Sequence, residues 1–293
     1  MGGTTRGNVP PWQGSGDTDF HGTLAAIWVW SRAEQLMGVD RFSLHIAAGW
    51  SFIDSAWKEF IPRSLGASAS DEAAFDCAMV LRAFIGGLSP SLPMNLEFER
   101  RGRVSKAARL LGVYLTDLDI WSGREFKDPA FLAWTLADYA RITDERGLGA
   151  IARRFVDVAF RMNTPPSFVN EPVEADGLFD FSCTTGTRIL ATIAAEGTTP
   201  FVGAWLRERV LPIIPNGFVN RPSDENIWNA CAAVALGHAF NVSTESAFLT
   251  AYLAVMDELE LRVENGALGR SSGFPAETLA TFYYAMAAHA ILD

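Results

Sequence analysis

Residues 17–35 read DTDFHGTLAAIWVWSRAEQ, an acidic, polar lead-in followed by an apolar stretch rich in alanine. Variants of this unit recur down the chain: DEAAFDCAMVLRAF (71–84), DPAFLAWTLADYAR (128–141), CTTGTRILATIAA (183–195), DENIWNACAAVAL (224–236) and PAETLATFYYAMAA (275–288). Six copies at a spacing of roughly 40 to 57 residues have the scale of a two-helix repeat. Each copy carries too much Ala and Leu, with too little period-two alternation, to read as a strand.

Between the copies lie segments of a second kind. Gly38 is placed to end the first helix, and Asp40 or Ser43 to start a second one closed by Pro62. The same alternation gives 71–86 followed by 98–119, 129–144 by 148–162, 184–196 by 199–214, and 224–240 by 244–263, with 275–291 last. The first kind is apolar on more than one face, as in residues 230–237, which suits burial on all sides. The second kind carries a charged face, for example Arg100, Arg101, Arg103, Lys106 and Arg109. That basic run reads as a solvated outer face ahead of an anion site. The expected fold is all-α: a single α/α toroid of about six inner and five outer helices over residues 17–293, preceded by a loop segment at 1–16. An open superhelix of helix pairs is the alternative. The missing twelfth helix leaves an open end, to be covered by the N-terminal segment through Trp12 or by another subunit, so a homo-oligomer or partner subunit is expected there.

The 293 residues carry 24 Lys plus Arg against 34 Asp plus Glu, a net charge of −10 that argues against a nucleic-acid partner. Three scattered cysteines, Cys77, Cys183 and Cys231, give no disulfide framework. No apolar run is long enough to span a bilayer, and the N-terminus has no apolar h-region, so a cytoplasmic protein is expected. There is no Gly-x-Gly-x-x-Gly after a strand, no phosphate-cradling loop and no Gly-x-Ser-x-Gly elbow, which removes nucleotide-dependent and serine-hydrolase chemistry.

In a toroid the loops leading into the inner helices share one rim, and the unusual residues fall there. Asp19, Asp71, Asp128 and Asp224 each stand at a helix start, where a carboxylate serves as an N-cap. Capping does not account for the doubled acids Asp17 with Asp19, Asp176 with Asp180, and Asp224 with Glu225. His21 lies at the rim, whereas His45, His238 and His289 are expected to be packed within helices. Trp12, Trp121 and Trp228 lie at or near the same loops. Four scattered histidines give no metal-ligand spacing, so no metal or other cofactor is expected.

With glycine-rich lead-ins such as DGLFDF (176–181), NGFVNRP (216–222) and GALGRSSGFP (266–275) before alanine-rich helices, the chain resembles the terpenoid cyclase and protein prenyltransferase α/α-toroid superfamily. In its cyclases an Asp-x-Asp-Asp followed by Thr opens an inner helix. Asp17-Thr18-Asp19-Phe20 with Thr23 looks similar, which implies Asp19 as the acid, with Asp17 and His21 beside it. The prenyltransferases hold zinc through Asp, Cys and His, and Asp180 with Cys183 falls in a comparable place, with Glu277 standing where the His is expected. The resemblance implies a cyclase-, lyase- or isomerase-type enzyme acting by acid catalysis on an isoprenoid or other apolar organic substrate. Trp12, Trp28, Asp176, Asp180, Asp224, Glu225, Trp228 and Glu277 would line the substrate. The same toroid serves glycan-active hydrolases and lyases, which set paired carboxylates and stacking aromatics on this rim. A non-catalytic helical binding scaffold is the third reading.

Overall fold

The structure is a computed structural model and describes residues 19–61, 71–87, 98–116, 129–158, 183–197, 199–214, 226–269 and 277–291. Among them are eleven α-helices: α1 Phe20–Met37, α2 Ser43–Phe60, α3 Asp71–Gly87, α4 Phe98–Thr116, α5 Pro129–Thr143, α6 Arg146–Val156, α7 Cys183–Glu196, α8 Pro200–Trp205, α9 Asn226–Ser243, α10 Ser246–Leu261 and α11 Thr278–His289. The chain divides into two compact units, Met1–Ala152 and Arg153–Asp293.

In the first unit α3 lies between α1 and α5, and α2 and α4 pack on α1 and α3. The helices α1 and α3 run parallel, because early residues meet early (His21 with Asp76) and late meet late (Gln35 with the Gly86 carbonyl), and α3 and α5 likewise meet early to early (Phe75 with Phe131). The helices α1, α3 and α5 therefore start at one end of the unit. Close approach is set by small residues. A methyl group on Gly86 would come within 2.8 Å of Trp28 Cγ, so glycine there lets α3 sit directly on the indole. In α5 the side chains from Ala130 to Ala137 are buried on every face, as an element with neighbours all round requires.

In the second unit α9 lies between α7 and α11 and carries α10 on its side. The pattern of α10 is the opposite of that of α5: Phe248, Ala251, Tyr252, Val255, Met256 and Leu259 form one stripe at helical spacing, and Asp257 and Glu260 face water. Two details depart from the sequence reading. The helix expected over 199–214 loosens after Trp205 into a π turn over Leu206–Val210 and a 3-10 turn over Leu211–Ile213. Pro212 has no N–H to give the Glu208 carbonyl and its ring crowds that oxygen, so the α pattern cannot continue. The loop expected after residue 263 contains a hairpin, β1 Val263–Glu264 on β2 Ala267–Leu268, turning through Asn265 at φ 53° and Gly266 at φ 77°.

The helices α1, α5, α7 and α9 each end on a left-handed residue: Gly38, Asp144, Gly197 and Thr244. One such residue reverses the chain within a few positions and keeps the turn short. Glycine and aspartate take this conformation readily, while a β-branched threonine is strained in it. Thr244→Asn is expected to raise stability by about 1 kcal/mol, seen as a higher urea midpoint. An unchanged or lower midpoint would mean that the Thr244 hydroxyl bond to the Ser243 carbonyl offsets the strain. No helix among the described residues is long and apolar enough to cross a membrane.

Candidate functional site

At the end of the first unit where α1, α3 and α5 begin, His21 reaches across from the first turn of α1 to α3. There its Nε2 meets Asp76 Oδ1. The His21 side chain is 22% exposed and that of Asp76 5%, so a ligand can reach the imidazole but the acid lies behind it. With Nε2–H donated to the carboxylate, Nδ1 is the nitrogen left to exchange a proton. Aromatic rings frame the pair. Phe75 stands edge-on to the imidazole at 5.0 Å between centroids, with Phe131 of α5 at 5.4 Å beyond it. Phe20 stacks on Phe60 at 4.3 Å, joining the start of α1 to the end of α2.

Asp19 occupies the N-cap position of α1 with extended backbone, and its carboxylate makes no cap hydrogen bond. Its carbonyl accepts the first ordinary helical bond, from the Thr23 N–H at 3.0 Å, and also the Thr23 hydroxyl at 2.7 Å. The carboxylate instead folds back over Gly22. An acid whose oxygens are not engaged by the helix end keeps them for another partner.

Deeper in the unit, the buried Arg82 of α3 donates to Asp138 at 2.7 Å and to Thr135 at 2.9 Å, with its guanidinium 3.5 Å from the Trp134 ring centre. It also stands 5.9 Å over Phe131, which packs on Phe75, so this polar cluster supports the aromatic wall beside His21. Sequence reasoning passed over Asp76, Phe75 and Arg82. The available signal was a charged residue on an otherwise apolar helix, since such a group is buried only with a partner.

Burial and the neighbouring Asp76 charge push the Cys77 thiol up to about 12. Burial, and then Glu145, push the Tyr139 hydroxyl up to about 12. Both groups are neutral in the fold and lose their protons more easily when unfolded. Their contribution is thus complete below pH 9 and is lost as pH rises toward 12. A urea midpoint falling across that window, with Cys77→Ala falling less steeply, is the expected result; parallel curves would contradict it. At pH 8 native Cys77 should resist alkylation.

Trp28 is 4% exposed and packs between α1 and α3 against Gly86, with Arg32 5.8 Å over its ring. Trp228 stands 38% exposed in the first turn of α9. Glu277 precedes α11, its N–H donating to the Leu268 carbonyl and its own carbonyl accepting from Thr281. Asn226 ties that region together, donating to the Gly269 carbonyl and accepting from Arg262, which also holds Glu258. Trp12, Asp17, Asp176, Asp180, Asp224 and Glu225 lie outside the described residues, as does the side chain of Cys183. Among the described residues no three His, Cys, Asp or Glu side chains gather as a metal site. His45, expected within the packing, is exposed on α2, with its ring 5.4 Å from Trp30. In the basic run of α4, Arg103 and Arg100 turn onto Asp54 of α2, and Arg100 also lies over Trp50. Farther along, Arg109, Val113 and Thr116 line an open groove of about 510 Å³ with Leu148 and Ile151, a lining without a carboxylate.

No protein-family model matches the chain, and no curated protein matches its sequence. Two solved structures resemble it over nearly its whole length. The GH76A alpha-1,6-mannanase from Salegentibacter sp. HEL1_6 is 11% identical over 99% of this chain and 94% of that one, with a TM-score of 0.64. The cellobiose 2-epimerase from Bacillus thermoamylovorans B4167 is 10% identical over 93% of this chain and 88% of that one, with a TM-score of 0.59. At such identities the likeness establishes the fold, and the resemblance to terpenoid cyclases extends to their architecture alone. The chain has the all-α, α/α-toroid fold of these two glycan-active enzymes.

Proposed function

We propose that the protein is a glycan-active enzyme whose reaction turns on proton transfer at a sugar, with His21 exchanging the proton, Asp76 behind it and Asp19 as a further acid. The observation that carries this reading is the His21–Asp76 pair, accessible on the imidazole side and buried on the carboxylate side. Taking a proton from the carbon beside a sugar carbonyl calls for a base that works near neutral pH, and imidazole is the side chain suited to it. Asp76 fixes the ring's orientation and stabilises the imidazolium that forms. The half-buried face of Phe75 offers the apolar surface on which the C–H face of a sugar packs.

Hydrolysis is the second reading. It is favoured by the Asp19 carboxylate, which makes no cap hydrogen bond, and by the likeness to the mannanase. It requires a second carboxyl group roughly 5 to 9.5 Å away. The isoprenoid reading keeps Asp19 as its acid but has no support from the comparisons. We take residues 17–293 as the catalytic body, working in the cytoplasm on a free saccharide, with residues 1–16 or a second subunit covering its open end.

The test is His21→Gln in the full chain, assayed on cellobiose for epimerisation and on α-1,6-linked mannotetraose for new reducing ends. A loss of about 10²-fold or more in one of them is expected. Wild-type turnover by the variant would sink the proposal.

A further inference from the structure

We infer that Gly22 is a positioning residue for the carboxylate of Asp19, an inference that rests on the functional reading above. A methyl group at Gly22 would come within 2.9 Å of Asp19 Cγ and closer still to Oδ2, so the place a side chain would fill is taken by the carboxylate. Gly22 is buried, lies in the first turn of α1, and has no left-handed backbone that would itself require glycine. The chain contains its own control. At the start of α11 the same pattern recurs, with Glu277 before the helix, Thr281 bonding its carbonyl as Thr23 bonds that of Asp19, and Ala280 where Gly22 stands. Alanine is therefore compatible with this kind of helix start. What differs at α1 is the short aspartate folded over the third helical residue. Glycine weakens a helix relative to alanine, and the position accepts that cost where the carboxylate needs the room.

The experiment compares full-length Gly22→Ala, Asp19→Ala and the double variant with wild type on cellobiose and α-1,6-linked mannotetraose, alongside thermal melting. Gly22→Ala should melt at or above the wild-type temperature while kcat falls about 10²-fold with less change in KM, because the acid is displaced and the fold is not. On the Asp19→Ala background the same substitution should change kcat by less than about twofold, since it acts through the carboxylate. Wild-type kcat in Gly22→Ala, or a full additive loss on the Asp19→Ala background, would overturn the inference. The ¹³C resonance of the Asp19 carboxyl group supplies a readout independent of turnover. It should move in Gly22→Ala, and an unmoved resonance would overturn the positioning role. If wild type turns over neither sugar, the functional reading fails while the resonance still decides the positioning claim.

Discussion

Asp76→Asn is expected to lower turnover of the saccharide substrate by about 10²–10⁴-fold, with the circular dichroism spectrum unchanged. The asparagine has the same shape but cannot carry the negative charge that steadies an imidazolium, and its amide can offer Nε2 a donor and reverse the tautomer of His21. Because Asp76 is buried while His21 is partly exposed, the loss should fall on kcat before KM. Activity within a few-fold of wild type would show that the pair is a structural contact.

Arg82→Ala is expected to destabilise the fold by about 3–5 kcal/mol, read from urea denaturation. Arg82 is 3% exposed, and removal of its guanidinium strands Asp138, opens a void beside Trp134 and ends a stacked contact at 3.5 Å. Arg141 also approaches Asp138, at 3.6 Å, which places the effect toward the lower end of that range. Arg82→Lys should recover only part of the loss, because an ammonium can pair with Asp138 but cannot also reach Thr135 while lying flat on the indole. A loss under about 1 kcal/mol for Arg82→Ala would mean that the cluster is replaceable by water.

The alanine-rich helices were legible because their signals are local. Gly38 ends α1, Pro129 opens α5, and the run Ala230–Gly237 can only be buried on several sides. The hairpin at 263–268 escaped because each strand is two residues long, too short for alternation to register. Its signal was Asn265-Gly266, the pair that a tight hairpin turn prefers. For the site, His21 stood out as a histidine in an acidic lead-in, but its partner did not. Asp76 lies more than a turn inside α3 among Ala74, Cys77 and Ala78, while the sequence reading sought acids at the helix starts. Which residue of α3 meets His21 depends on how far α3 slides along α1, and that offset is set by packing such as Trp28 on Gly86. The role of Asp19 was equally out of reach: an N-cap by position is distinguished from an acid that declines the cap only by where its carboxylate points.

The most direct test of the central claim, that His21 and Asp76 transfer a proton at a sugar, is to incubate the full-length protein with cellobiose in deuterium oxide and follow the reducing-end sugar by NMR. The account predicts deuterium entering at the carbon next to the carbonyl at a rate that His21→Gln abolishes. Turnover of the sugar with no deuterium incorporated, or incorporation that is the same in His21→Gln, would contradict it.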